Sequence, residues 1–213
     1  MKALTGMLVV ILATGWASAS VALDITFDDV VSVGNPSVTL LDTHSYRFTG
    51  AFRTIDTPGA ALASNASAVY LAQEASGPGI TVTRADGGPF ALYEFVATGL
   101  YVLPAAGLSN AQQVSLAGLR IGGGMLSATY ALGGLPGFAH FSVPSAWHDL
   151  QAVTFTGLLS SAAPGAFALD DIGVGEGPTS VPEPATLALA VVTLLGAGSA
   201  ALARRRTRRV RHR

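Results

Sequence analysis

Apolar and polar residues alternate over short runs through the middle of the chain. In the run 24–28, Ile25 and Phe27 occupy alternate positions, and the runs 80–83 and 153–156 alternate an apolar residue with threonine. Alternation with a period of two places the apolar side chains on one face of a β-strand. The same argument predicts five further strands, over 46–52, 90–96, 114–121, 126–132 and 167–174.

Residues that break regular structure separate these runs. The chain holds 25 glycines and 11 prolines in 213 residues, too many for a helical body. Asp-Gly-Gly at 86–88 predicts a tight hairpin turn and the three glycines at 122–124 predict a turn, because glycine tolerates positive φ angles. Short strands without crossover helices predict an all-β fold, an antiparallel β-sandwich over 23–175. The stretch 104–113 is compatible with a short helix.

The N-terminal segment has the pattern of a secretory signal peptide. Lys2 precedes an apolar run over 8–13, and the small residues that follow fit cleavage after Ala19 or after Ala22. We therefore expect a signal helix over residues 1–22 and a mature chain outside the cytoplasm. A buried N-terminal helix is the alternative interpretation.

The C-terminal segment combines an apolar run with a basic end. The run 185–203 carries no charge and, at 1.5 Å per residue, is long enough as a helix to cross a hydrocarbon core of about 30 Å. Seven arginines follow within 204–213, and basic flanks stay on the cytoplasmic side of a membrane. Nucleic-acid binding is the competing interpretation of such a cluster. The absence of aromatic residues and the adjoining apolar run favour a single transmembrane helix, with no nucleic-acid partner.

A stiff tetrapeptide precedes the apolar run. Residues 176–180 are a short linker by composition, and Val181, Pro182, Glu183 and Pro184 follow. Each proline fixes its own φ angle and biases the residue before it to an extended conformation. The tetrapeptide is therefore expected to be extended and accessible at the membrane surface, which suits a segment that an enzyme must bind.

The order of these parts resembles the PEP-CTERM sorting signal of Gram-negative bacteria. Pro182-Glu183-Pro184, a hydrophobic span and an arginine-rich end follow one another over 181–213 as they do in that family. The resemblance implies recognition by an exosortase, an integral-membrane transpeptidase that removes the tail during export to the cell surface. It also implies an association with exopolysaccharide. A plain single-pass anchor after a proline-rich turn is the alternative.

The body also resembles the jelly-roll domains often found on PEP-CTERM proteins. Such domains start with a strand like 25–29 and end with one like 167–172. They are in turn similar to carbohydrate-binding β-sandwiches. The resemblance implies a jelly-roll-like sandwich whose first and last strands are neighbours.

Charge and cysteine content narrow the classes of function. Residues 24–176 carry twelve carboxylates and four arginines, a net charge of −8. The chain has no cysteine, which excludes a disulfide-stapled scaffold and thiolate metal sites. His44, His140 and His148 are too scattered along the sequence to suggest a zinc cluster.

Two carboxylate pairs lie at opposite ends of the body. Asp28 and Asp29 follow the first predicted strand, and Asp170 and Asp171 lie in the last. Neighbouring first and last strands would gather oxygen ligands of the kind that calcium prefers, so we predict a structural calcium site. Aspartates that end strands are the alternative. Strict alternation would put Asp171 on the apolar face, so it lies either at the sheet margin or at a bulge that resets the alternation.

Trp147 admits two interpretations. An exposed indole binds the apolar face of a sugar, whereas large aromatic side chains more often pack in a core. The sequence has no Gly-x-Ser-x-Gly motif and no phosphate-binding loop, so we expect no catalysis. Among enzymes, a hydrolase that uses the four aspartates is the alternative, because two carboxylates suffice for glycoside hydrolysis.

The sequence therefore predicts a non-catalytic exported protein. It is expected in the inner membrane as a precursor, and then at the cell surface or in the extracellular matrix of a Gram-negative bacterium. A glycan-binding module on a permanent single-pass anchor is the alternative, and a secreted glycan hydrolase is a further one.

Overall fold

The computed structural model describes residues 22–56, 67–73, 78–99, 109–133 and 137–176. These residues form eleven strands and lie within one unit, Ser20–Pro178. In chain order the strands are β1 (Ala22–Ile25), β2 (Ser37–Thr43), β3 (Tyr46–Ile55), β4 (Tyr70–Gln73), β5 (Ile80–Arg84), β6 (Phe90–Gly99), β7 (Gln113–Arg120), β8 (Met125–Ala131), β9 (Ala139–Ser142), β10 (Leu150–Leu158) and β11 (Phe167–Glu176).

The strands form one hydrogen-bonded sheet. Its order is β8-β7-β10-β5-β3-β4-β11-β6-β9, with β1 paired to β11 and β2 paired to β3. Every pair of these strands is antiparallel. A further pairing between Leu150 of β10 and Phe90 of β6 joins two strands that are distant in this order. The sheet therefore curves back on itself and encloses a core.

Aromatic side chains fill that core from opposite sides. Phe95 on β6 contacts Phe155 on β10 at a centroid distance of 5.3 Å and Tyr130 on β8 at 5.2 Å. Tyr46 on β3 contacts Phe90 on β6 at 5.6 Å. Edge-to-face pairs at this spacing add stability beyond the burial of their area. The prediction of an all-β, antiparallel body is confirmed for the described residues.

The pattern of alternation located most of the longer strands. All eight predicted strands are present, although the first ends at Ile25 and the chain then turns. The structure adds β2, β4 and β9, which were not predicted. Within the stretch 104–113, the described residues 109–112 form irregular backbone with one isolated bridge, at Asn110, and Gln113 begins β7. Residues 109–113 are therefore not helical, and 104–108 lie outside the described residues.

The two glycine turns have different roles. Gly122, Gly123 and Gly124 all have positive φ angles and connect the paired strands β7 and β8, as predicted. Gly87 also has a positive φ angle, and its N–H donates to the carbonyl of Arg84. However, β5 and β6 on either side of that turn pair with other strands. The turn prediction is confirmed there, and the hairpin prediction is wrong.

Several predicted segments lie outside the described residues. They are the signal segment up to 21 including Ala19, most of the linker, the motif Val181 to Pro184 and the apolar run with its arginine-rich end. Within the described part of the chain, no helix has the length and apolar character needed to span a membrane.

Candidate functional site

The first and last strands bring the two carboxylate pairs to one region. β1 pairs antiparallel with β11, with Ile25 opposite Ile172. Asp28 and Asp29 lie in the turn after β1, where the N–H of Val30 donates to the carbonyl of Phe27 at 2.9 Å. The predicted proximity of the two ends of the body is therefore present in the structure.

Ser67 connects Asp28 to the rest of this region. Its hydroxyl donates to Asp28 Oδ1 at 2.7 Å, and the N–H of Ala68 donates to the same oxygen at 2.7 Å. These two hydrogen bonds hold the pKa of the Asp28 carboxyl below its usual value. Asp28 is therefore fixed as an ionised acceptor at neutral pH.

Asp170 approaches the same hydroxyl from β11. Its Oδ1 lies 3.5 Å from Ser67 Oγ and accepts from the N–H of Asp171 at 2.9 Å. The residue is fully buried, which is rare for a carboxylate. Ser67 was not predicted as a partner of these aspartates, because it is 39 residues from Asp28 and 103 from Asp170.

A bulge at Asp171 settles where that side chain lies. In the pairing of β11 with β6, the register shifts between Asp170 and Ile172. Ile172 then lies in the core, while Asp171 is partly exposed and has a positive φ of 27°. Burial raises the pKa of the Asp171 carboxyl, and the charges of Asp28 and Asp24 raise it further. Of the two predicted explanations, the bulge is confirmed.

Asp29 lies apart from the other three carboxylates. Thr43 Oγ1 donates to Asp29 Oδ1 at 3.4 Å, and His44 Nε2 lies 3.9 Å from Asp29 Oδ2. Successive residues of a turn point in different directions, so Asp28 and Asp29 have different neighbours. Across the described ranges, no group of three or more His, Asp or Glu is placed to hold a metal ion. The four aspartates do not form the calcium cage that was predicted.

Trp147 belongs to the core. It is 4% exposed, and its carbonyl accepts from the N–H of Leu92 at 2.9 Å. Its ring lies directly against Gly118 on β7: a Cβ at Gly118 would be 2.9 Å from Trp147 Cζ3. The interpretation of Trp147 as an exposed sugar platform is therefore wrong, because the glycine leaves a cavity that the indole fills.

Each described histidine contacts a carboxylate. His148 Nδ1 lies 2.8 Å from Asp149 Oδ2, and the guanidinium of Arg120 lies 3.4 Å from His148 Nε2. His140 Nε2 lies 2.9 Å from Glu94 Oε2. These pairs are on different strands and loops, so the histidines remain scattered in space as they are in sequence.

The outer face of β6 and β11 carries an aromatic residue beside a contact between a histidine and a glutamate. A register shift between Gly173 and Val174, opposite Tyr93, places Tyr93 and Glu94 together away from the core. The Tyr93 ring covers Gly175, with its Cε2 2.7 Å from where a Cβ would lie. Glu94 covers Gly173 in the same way and contacts His140. The face thus combines an apolar ring with polar groups that can bind hydroxyls.

The similarities of this chain to known proteins are weak. No protein-family model matches the chain, and no curated protein matches its sequence. The carbohydrate-binding module TmCBM61, solved in complex with β-1,4-galactotriose, is 11% identical with a TM-score of 0.35, over 62% of this chain and 88% of that one. The enzymatically active domain of bacteriophage CBA120 tailspike protein 4 is 11% identical with a TM-score of 0.36, over 62% of this chain and 19% of that one. At such TM-scores neither likeness bears on function.

Proposed function

We propose that the chain is a non-catalytic exported protein that an exosortase processes at its PEP-CTERM-like tail. The observation that carries the proposal is the order of Pro182-Glu183-Pro184, the uncharged run and seven arginines over 181–213. The precursor spans the inner membrane once with its C-terminus in the cytoplasm. The processed body is then released to the cell surface or the extracellular matrix, with a jelly-roll-like β-sandwich as its fold.

The geometry of the aspartates supports a non-catalytic body. A glycoside hydrolase needs two carboxyl groups that reach the scissile bond from either side. Asp170 is fully buried. Asp28 Oδ1 accepts two short hydrogen bonds, from the Ser67 hydroxyl and the Ala68 N–H. Asp170 therefore cannot reach a polysaccharide, and Asp28 is held in its ionised form, which suits a general acid poorly.

The position of β1 supports cleavage of the signal after Ala19. Ala22 is the first residue of β1 and pairs with Gly175. Cleavage after Ala22 would remove this pairing, whereas cleavage after Ala19 leaves the strand complete. We expect a mature N-terminus at Ser20, which Edman sequencing of the exported protein would test.

Cell fractionation tests the sorting proposal. In a host with an exosortase, the wild-type body is expected in the cell-surface or medium fraction. Replacing Pro182, Glu183 and Pro184 together with alanine is expected to retain the protein in the inner membrane. The same triple substitution at Gly177, Pro178 and Thr179 is the matched control and is expected to leave export unchanged. Equal export of both variants would contradict the proposal.

Exopolysaccharide is the proposed partner of the body, through the outer face that carries Tyr93, Glu94 and His140. The alternative, a glycan-binding module on a permanent anchor, uses the same face. Affinity electrophoresis in gels containing soluble galactan, xylan or dextran tests the face. Tyr93→Ala is expected to abolish retardation and Tyr93→Phe to preserve it, because stacking needs the ring rather than the hydroxyl. Unretarded wild-type protein would contradict binding to these polysaccharides.

A further inference from the structure

Among the described strands, β8 pairs only with β7, and no described strand pairs with its outer edge. Four described strands pair with a single other strand: β1, β2, β8 and β9. A strand edge presents rows of N–H and C=O groups that can pair with another chain, and proteins usually guard such edges with short strands, charges, prolines or bulges. Comparing the four edges shows which one lacks a guard.

Three of the edges are guarded. β2 follows Pro36, has a register shift between Val38 and Leu40, and carries Asp42. β1 and β9 have four residues each, and they carry Asp24 and His140. Each feature shortens or interrupts the row of groups that a second strand would need.

β8 has none of these features. It runs for seven residues, MLSATYA, without charge, proline or glycine, and its register with β7 is unbroken. Met125 at its start is 67% exposed and lies opposite Leu119, which is also exposed. The edge is therefore long, uncharged and regular.

The hydrogen bonds of the β7–β8 hairpin show which groups point outward. The N–H of Arg120 donates to Gly124, and the N–H of Leu132 donates to Gln112. Backbone groups alternate in direction along an antiparallel strand, so the even-numbered residues of β8 bond to β7. The N–H and C=O groups of Ser127 and Thr129 therefore point away from the sheet.

We propose that β8 pairs antiparallel with β8 of a second copy of this chain, about a two-fold axis at Ala128. In this register Ser127 lies opposite Thr129 of the second copy, and Leu126 lies opposite its Tyr130. Hydroxyl pairs and pairs of aromatic with aliphatic residues are favourable across antiparallel strands. A two-fold axis closes the interface, so the product is a dimer and not a fibre.

Charge opposes a second copy less at this edge than at the edges of β1 and β2, which carry Asp24 and Asp42. The body between residues 24 and 176 carries a net charge of −8, so two copies repel each other over most approaches. Like charges directly opposite one another destabilise a strand pair. β8 has no charge to oppose itself, and the nearest arginine in the hairpin, Arg120, adds a positive charge at the edge of the patch.

Engineered cysteines test the register in the full chain, which has no native cysteine. Ala128→Cys places two thiols across the axis, with Cβ atoms about 5 Å apart. Oxidation with copper phenanthroline is expected to give a disulfide-linked dimer. Ala131→Cys is the matched control: its own copy lies six positions away, about 20 Å, so it is expected to stay monomeric on a non-reducing gel. Ala131 is the more exposed of the two, so random collision would give the opposite result.

Charges introduced at positions 127 and 129 test the interface independently. The full chain in detergent is expected to sediment with twice its protein mass, and Ser127→Lys with Thr129→Lys to reduce it to the monomer. Ser127→Lys with Thr129→Glu pairs opposite charges across the axis and is expected to restore the dimer. Thr39→Lys, on the exposed face of β2, is expected to change nothing. A monomeric wild type, or a dimer that survives the double lysine variant, would overturn the proposal.

Discussion

β11 and β8 are strands of the same sheet with opposite surroundings. β11 lies between β6 on one edge and β4 and β1 on the other, and eight of its ten residues are buried. Of the described strands, only β7 pairs with β8, and β8 is exposed at every second residue. β11 contains a bulge, while the register of β8 is unbroken.

This difference between β11 and β8 distinguishes a strand that stabilises the fold from a strand that is available for association. A strand with neighbours on both edges and burial on both faces contributes most to the core. An edge strand with one exposed face contributes less to folding and keeps its outer backbone groups for another chain. Substitutions in β11 should therefore change the free energy of unfolding, and substitutions on the exposed face of β8 should change the mass of the assembly.

Truncation of a buried leucine on β11 is expected to give the largest effect. Leu169 is fully buried and pairs with Leu71 on one side and Ala97 on the other. Leu169→Ala is expected to lower the free energy of unfolding by about 2–5 kcal/mol, because the cavity cannot close between two fixed neighbours. Met125→Ala on β8 is expected to change it by no more than about 0.5 kcal/mol. Chemical denaturation measures both, and equal losses would remove the distinction between the strands.

Overpacking of β7, which lies between β8 and β10, is expected to lower the free energy of unfolding by a smaller amount. A Cβ at Gly118 would lie 2.9 Å from the Trp147 ring and 3.0 Å from Leu150 Cδ2. Gly118→Ala is expected to cost about 1–3 kcal/mol, and to shift tryptophan emission because the ring must move. Gly133→Ala is the matched control, since no atom lies within 4 Å of its Cβ position. An unchanged emission spectrum in the Gly118 variant would argue against a packed indole.

Substitution of Asp171, at the bulge of β11, is expected to give the smallest change in stability, and that change depends on pH. Burial, together with Asp28 and Asp24, raises the pKa of Asp171 above 3.8, so the folded protein holds that proton more tightly than the unfolded chain does. Its contribution to stability is present below pH 3.8 and is lost as the pH rises through the folded pKa. Asp171→Asn is therefore expected to raise the Tm at pH 7 and to leave it unchanged at lower pH.

Asp28 is the control, because its contribution to stability changes with pH in the opposite direction to that of Asp171. Hydrogen bonds from Ser67 and Ala68 lower its pKa below 3.8, so its contribution is present above that pH and is lost as the pH falls through the folded value. Asp28→Asn is expected to lower the Tm at pH 7. Thermal melts of both variants from pH 3 to 8 that moved in the same direction would contradict this assignment.

Alternation predicted the strands that have one buried face and missed those that do not. β10 alternates buried and partly exposed residues over most of its length, and its central residues were recognised. All four residues of β4 are buried, so Tyr70–Gln73 shows no alternation. β2 carries a bulge after Val38 that shifts the period, and β9 has only four residues. A pattern of period two cannot identify such strands.

The site was predictable only where sequence order determines proximity. The pairing of the first and last strands brought Asp28 and Asp170 to the same hydroxyl, as neighbouring ends of the body predict. The contact of Asp29 with Thr43 and the burial of Trp147 against Gly118 depend on loop direction and on packing between distant strands. Neither has a local signal in the sequence.

The mature C-terminus of the exported protein tests the central claim most directly. Intact-mass spectrometry of the surface fraction, from a host with an exosortase, is expected to show a body that has lost the residues after Pro184. The same measurement in a host without the exosortase is expected to show a chain that ends at Arg213. An exported protein that still ends at Arg213 in both hosts would contradict the proposed sorting route and would favour a permanent anchor.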